Sequence, residues 1–334
     1  MSATDLRPTQ MEFEGMGASE PGALGDEDTD LSILGEAGAD FDRSRSDQDS
    51  GVRADAMREA MSDIANIVTR AAQSKEKLTR SAIKAKFGRA PGEHRPLAFV
   101  VIHALTTEQV AKNVQIALEE GADGVFLINH DFDYPQLLPI IRHVRGLFPD
   151  LFLGTNFHTM NGADAFPILG RLAREGVKID AYWADNACID HERPHTEQPM
   201  ASKILETRAS SGWDGLYFGG TAFKNPKNHV KLCRAVPVEA SASVAATAAG
   251  YMDVVTTSGP ASGEAPEPEK IMGMREGCKE TPLALASGVS EANVAQFAAQ
   301  VDAFLLATSI QSDSHNIDGG KLRAFLTNLR AAVP

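Results

Sequence analysis

Asp185, Lys224, His103 and Asn156 are the side chains of this chain best suited to chemistry, because each stands at or just beyond the end of a short apolar run. A carboxylate in that position can take a proton or hold a ribose hydroxyl, so Asp185 is expected to be a general base or a ribose-binding group. Lys224 suits an electrophile, a Schiff-base former or a phosphate contact. His103 and Asn156 would position the substrate, with an imidazole able to change charge near neutral pH. Each has a plainer reading. His103 could be a core imidazole bonded to a neighbouring strand, and Lys224 a solvated loop lysine, since Phe223-Lys224-Asn225-Pro226-Lys227 is polar and turn-like.

A second constellation lies in the last third of the chain. The apolar runs Asp253–Thr257, Pro282–Ala286 and Ala303–Ala307 break into Ser258-Gly259, Ser287-Gly288 and Thr308-Ser309. Small residues leave room for a ligand and present bare backbone N–H groups. A helix over Glu291–Gln300 would aim its positive end at the same place, which favours an anion such as phosphate. The plainer alternative is that small residues merely permit tight turns. Three such loops in succession favour the anion reading.

Both constellations need a scaffold that brings strand ends together. Five further apolar runs precede these three: Leu97–Ile102, Gly124–Ile128, Leu151–Gly154, Ile179–Trp183 and Gly215–Gly219. Continuous apolar strands imply a parallel sheet buried on both faces. Amphipathic stretches separate most of them, among them Thr107–Glu119, Tyr134–Phe148 and Asp164–Arg174, and Gly121, Gly176, Gly212 and Gly250 stand where helix ends favour a left-handed residue. Eight such units over residues 96–334 predict an α/β fold of the (β/α)8 TIM-barrel type, whose functional groups gather at the carboxyl ends of the strands. A doubly wound open sheet ranks below it, because no glycine-rich dinucleotide turn follows the first run at Ile102-His103-Ala104-Leu105.

Composition limits what the chain does. Hydrophobic residues make up 43%, enough for a sizeable core, while the net charge of −13 argues against nucleic acid as a partner. No apolar run is long enough for a transmembrane helix and no basic, apolar leader opens the chain, so a cytoplasmic protein is expected. Residues 1–50 hold 13 Asp/Glu against 3 Arg and few large apolar residues, which predicts a disordered acidic tail. Residues 51–95 reverse the sign, with 10 Lys/Arg against 5 Asp/Glu. Met57, Met61, Ile64, Val68, Ala71, Leu78 and Ala82 there fall at helical spacing. This basic extension is expected to plug or flank the barrel. The sharper alternative gives the 51–90 helix to a homo-oligomer or a partner protein. No motif calls for a cofactor. Cys188, His191 and His195 have the ligand types of a zinc site, yet their spacing matches no standard one, so an ordinary polar loop and no metal are expected.

From His103 to Leu326 the order of residues resembles the BtpA/SgcQ family of TIM-barrel proteins. The segment DVVTTSGPASGEAP at Asp253–Pro266 is similar to the family element D-x-V-x-x-x-G-x-x-T-G-x-x-P, with Ser262 in place of its threonine. PLALASGVSEANV at Pro282–Val294 and DAFLLATSI at Asp302–Ile310 follow in order, and Gly154-Thr155-Asn156 with Asn161 resembles an upstream G-x-N…N element. Lys224 stands where a strand-five lysine is often found. The chain departs from the pattern in three places: Ala104-Leu105-Thr106-Thr107 replaces a proline-rich loop, Gln311 replaces a basic residue, and the first 95 residues have no counterpart. The resemblance implies the barrel fold. Family members are linked to photosystem I accumulation, and others are described as candidate nucleosidases.

Together these readings predict an enzyme acting on a phosphorylated sugar or nucleotide-like small molecule at the carboxyl face of a barrel, by lyase, isomerase or nucleosidase-like chemistry. The alternative is a non-catalytic assembly or stability factor of the BtpA type that works through a protein partner.

Overall fold

Strand sequences that are apolar on both faces can bury both only between a packed interior and a shell of helices, and here they do so by closing on themselves. The computed structural model describes residues 77–224 and 236–333, all within the unit Ala56–Pro334. The acidic segment 1–50 and residues 51–76 of the basic extension lie outside the described residues, so the expected tail and most of the expected extension helix are not among them. The strands are β1 (Leu97–His103), β2 (Gly124–Ile128), β3 (Leu153–Asn156), β4 (Ala181–Ala184), β5 (Leu216–Gly220), β6 (Val254–Thr257), β7 (Leu283–Ala286) and β8 (Ala303–Leu306). They pair in chain order, all parallel, and β8 returns to β1 with Leu97 opposite Ala303. The expected (β/α)8 barrel is therefore the observed fold.

Helix α1 (Arg80–Lys86) precedes the barrel. Helices α2 (Thr107–Glu120), α3 (Tyr134–Leu147), α4 (Gly162–Arg174), α5 (Pro199–Ser211), α6 (Ser241–Ala248), α7 (Pro268–Cys278), α8 (Val294–Phe297) and α9 (Gly319–Ala332) follow the successive strands. Side-chain caps start several of them. Thr106 Oγ1 accepts from Gln109 N, Asn161 Oδ1 from Ala163 N and Asp318 Oδ1 from Lys321 N, each satisfying an N–H that the helix itself cannot. Gly121 and Gly212 close α2 and α5 in the left-handed conformation. Gly176 is also left-handed, but Gly250 is not, since α6 ends through right-handed Ala249.

One expectation about helices is corrected. The helix expected over Glu291–Gln300 shrinks to the four residues of α8. Asn293 Oδ1 accepts from Ser290 N, and its Nδ2 donates to Gly288 O, so the chain bends around this side chain instead of winding from Glu291. A helix this short has no useful dipole to offer an anion. After β6 a longer loop intervenes before α7 begins at Pro268.

A repeated device holds the amino ends of the strands. Asp123, Asp180, Asp253 and Asp302 each stand one residue before an even-numbered strand and accept a backbone N–H from the preceding odd-numbered strand: Ala98, Leu153, Tyr217 and Leu283. Each carboxylate also meets an arginine, respectively Arg89, Arg145, Arg208 and Arg275. A carboxylate bonded to both a guanidinium and a buried amide is a strong, directional tie. Below it, Ile83 of α1 is fully buried in the barrel interior beside Leu97 and Phe99. Phe87 packs edge-on against Phe99 and Phe152, at 5.4 and 4.9 Å between ring centres. The described part of the extension thus plugs the amino-terminal end, and Arg80 and Lys84 join Arg275 around the buried Asp302.

Candidate functional site

Alternation along each strand sends every second residue into the barrel, and at the carboxyl ends this builds two tiers. Val101, Ile128, Trp183, Ala286 and Leu305 form the inner tier. Two residues further along the same strands stand His103, His130, Asp185, Gly288 and Ala307. All ten line one cavity of about 370 Å³. Lys224, Ser262, Ser287, Ser290, Asn293, Thr308 and Ser309 complete its polar rim. Lys224 is the only lysine or arginine among these described lining residues, and Asp185 the only carboxylate.

Three of the four chemically able side chains singled out in the sequence therefore share the cavity: Asp185, Lys224 and His103. Asn156 does not line it. Buried behind the wall, its Nδ2 donates to Asp185 Oδ1 at 3.1 Å, so it orients the carboxylate and does not reach the space a ligand would fill. The Lys224 ammonium donates to Ser262 Oγ at 3.0 Å. Burial holds its pKa below the usual lysine value, with the Asp185 charge opposing that fall.

His103 and His130 stand ring to ring at 4.4 Å, and His130 meets His158 at 4.5 Å. Burial lowers the His103 pKa, partly offset by the Ser314 carbonyl. His130 is open at the rim, yet the surrounding walls desolvate its imidazolium and His103 and His158 repel it on either side. Together they bring its pKa to about 4. With their pKa values lowered, His103 and His130 are neutral at neutral pH and suit proton exchange or hydrogen bonding better than anion attraction. Beside them His315 Nε2 meets Asp131 Oδ2 at 2.8 Å, joining the loop after β8 to the loop after β2.

The small-residue loops divide. Thr308 and Ser309 line the cavity from a single 3-10 turn, Thr308–Ile310, and Ser287 and Gly288 line it from the loop after β7. Ser258 and Gly259 do not. Ser258 is fully buried and its hydroxyl donates to Gly259 O, while its carbonyl accepts from Lys270 Nζ. A Cβ on Gly259 would lie 1.9 Å from Glu264 O, and one on Gly288 would meet the same atom at 1.9 Å. Both glycines make room for the chain's own Glu264 carbonyl, which passes between them. The Ser287 hydroxyl also bonds inward, to Ala261 O at 3.0 Å. Ser287 adopts a φ of 97°, followed by 78° at Gly288, and such strain in a residue with a side chain recurs where a site dictates the backbone.

Lys270 is a further cation that sequence reasoning passed over. Its ammonium bonds the carbonyls of Ala222 and Ser258 at 2.6 and 2.7 Å, and burial brings its pKa down to about 8. Ala222 has a φ of 47° and stands two residues before Lys224, so this tie shapes the turn that delivers Lys224 to the cavity. The loop carrying Cys188, His191 and His195 is organised by Gln198, whose side chain bonds Asp190 at both its N–H and carbonyl. Among the described residues no group of three His, Cys, Asp or Glu side chains is placed to hold a metal ion.

The geometry defines a (β/α)8 barrel with a cavity, lined by the described residues named above, at the carboxyl ends of its strands. No protein-family model matches the chain, and no curated protein matches it. Among solved structures it is similar to phosphoribosyl anthranilate isomerase from Thermus thermophilus, at 15% identity over 70% of this chain and 98% of that one, with a TM-score of 0.47. It is similar to monomers generated from dimeric phosphoribosylanthranilate isomerase of Thermotoga maritima, at 13% identity over 71% and 99%, TM-score 0.47. A protein of Aquifex aeolicus VF5 is similar at 12% identity over 75% and 98%, TM-score 0.48. Identities this low transfer no activity. No described helix is long and apolar enough to cross a membrane.

Proposed function

We propose that this chain is an enzyme that binds a phosphorylated sugar or nucleotide-like small molecule at the carboxyl mouth of the barrel, with Asp185 as general base and Lys224 as electrophile. The observation that carries this reading is the shared cavity. A carboxylate held in orientation by Asn156 and a partly desolvated lysine held by Ser262 face one enclosed space. A lysine whose pKa burial has lowered, set beside a carboxylate in a cleft, is an arrangement that suits proton-transfer chemistry. Asp185 takes a proton from a hydroxyl or an activated C–H of the bound molecule. The Lys224 ammonium stabilises the negative charge that then develops on the neighbouring oxygen, an interaction worth more in the transition state than in the ground state. The phosphate sits at the opposite rim, against Thr308, Ser309 and the Ser287-Gly288 turn. Ser262, the Lys224 partner, stands at the threonine position of the BtpA-like element.

Ribose 5-phosphate tests the reading. At about 100 times its Kd it would stabilise the fold by ~2.7 kcal/mol, so the melting temperature of the wild type rises. The rise persists in Asp185→Asn and is largely lost in a Thr308→Val, Ser309→Ala double variant. A wild-type melting curve that phosphorylated sugars leave unmoved would sink the proposal.

A further inference from the structure

The inner tier of the cavity contains one polar atom that the protein leaves unpaired. Trp183 of β4 lines the cavity and is only 6% exposed, and its Nε1–H has no acceptor among the described residues. Buried donors are almost always satisfied in a folded protein, so an orphan at a cavity wall points to an acceptor that comes from outside the chain. The indole is not at liberty to find one elsewhere. It stands edge-on to Phe126 at 6.4 Å and to Phe223 at 5.9 Å, and turning it would forfeit both contacts. By contrast, the other tryptophan, Trp213, donates to Ile179 O at 3.0 Å and lies outside the cavity.

The rest of the inner tier sets the chemistry around that donor. Val101, Ile128, Ala286 and Leu305 offer no hydrogen bond from their side chains and no charge, whereas His103, His130 and Asp185 two residues further out, with Lys224 and the small hydroxyl residues, bring the polar groups to the rim. A sugar seated on the inner tier would leave its hydroxyls unpaired against aliphatic walls, a poor exchange for water. A flat, neutral ring would lose little there, provided that its one buried acceptor met the indole. The ligand's charge and hydroxyls would then stay at the rim with Lys224, Asp185 and the small hydroxyl residues.

Building on the proposed phosphorylated-ligand reading, we infer that the molecule bound here carries, at the end away from its phosphate, a flat ring with a carbonyl acceptor, and that Trp183 is the specificity-determining donor for it. The substrate class is thus a ring-bearing phosphosugar, of which a pyrimidine nucleoside monophosphate is the simplest probe, in preference to a bare sugar phosphate.

The chain has two tryptophans, so the 15N-labelled full-length protein shows two indole N–H signals, and Trp183→Phe assigns them. Uridine 5′-monophosphate should move the Trp183 indole proton downfield, as a new hydrogen bond does, and leave Trp213 in place. Ribose 5-phosphate and inorganic phosphate should move neither. Calorimetry should find uridine 5′-monophosphate bound about tenfold more weakly by Trp183→Phe, with ribose 5-phosphate unchanged. Uridine 5′-monophosphate that binds without moving the Trp183 signal, or no more tightly than ribose 5-phosphate, overturns this inference and spares the broader reading. If neither compound binds the wild type, both fall. Because the indole signals are read on the wild type, the test stands even if Trp183→Phe folds poorly.

Discussion

Lys224 is the residue at which environment and chemistry can be separated most directly. Burial lowers its pKa and the Asp185 charge raises it. At neutral pH more of it is therefore unprotonated than of a solvated lysine. Asp185→Asn removes the opposing charge, lowers the pKa further and raises the unprotonated fraction again. Acylation by an amine reagent, followed by peptide mass mapping, should label Lys224 ahead of surface lysines such as Lys178 and faster still in Asp185→Asn. Slower labelling in Asp185→Asn would show that the carboxylate does not act on this amine. The neighbouring His103 and His130 offer no comparable cation, because neutral imidazoles add no positive charge to the mouth.

Among the elements, the loop between β6 and α7 has the most to hold in place. Glu264 O is threaded between Gly259 and Gly288, and Ser262 from the same loop receives the Lys224 ammonium. Gly288→Ala places a methyl group 1.9 Å from that carbonyl at a φ of 78°, so the loop must move. The expected cost is about 2–4 kcal/mol in urea denaturation, from left-handed strain together with the collision. Lys224 labelling should change with it as Ser262 shifts. A variant as stable as the wild type would mean that the loop yields freely. The same contact shows that a glycine-to-aspartate change here reads packing before ligand binding.

On the scale of the molecule, the barrel is closed at one end and open at the other. Leu78, Ile83 and Phe87 seal the amino-terminal end, and Arg80 and Lys84 help neutralise the buried Asp302. A chain starting at residue 77 keeps this plug, whereas one starting at residue 96 loses these three apolar side chains, the two cations around Asp302 and the Arg89 partner of Asp123. The shorter chain should be less stable by on the order of 5 kcal/mol, while the longer keeps the full-length protein's response to ribose 5-phosphate. Equal melting temperatures for the two truncations would contradict the sealing role of α1.

The architecture was legible from the chain alone, because strand burial and helix amphipathicity repeat every few residues and are read from neighbours. Gly124–Ile128 came out residue for residue, and the other strands within two residues at either end. Position at a strand end likewise placed Asp185, His103 and the Thr308-Ser309 turn at the mouth. Trp183 was within reach of the same logic, since it precedes Asp185 by two and must share its inward face, but an unpaired N–H has no signature in sequence. What folding alone settled is who meets whom across long separations. Asn156 backs Asp185 instead of facing a ligand, Ser258 and Gly259 serve their own loop, and His315 reaches Asp131 from 184 residues away. Such pairings arise when the ring of strands closes, and they depend on distances in space that no local pattern of residues encodes.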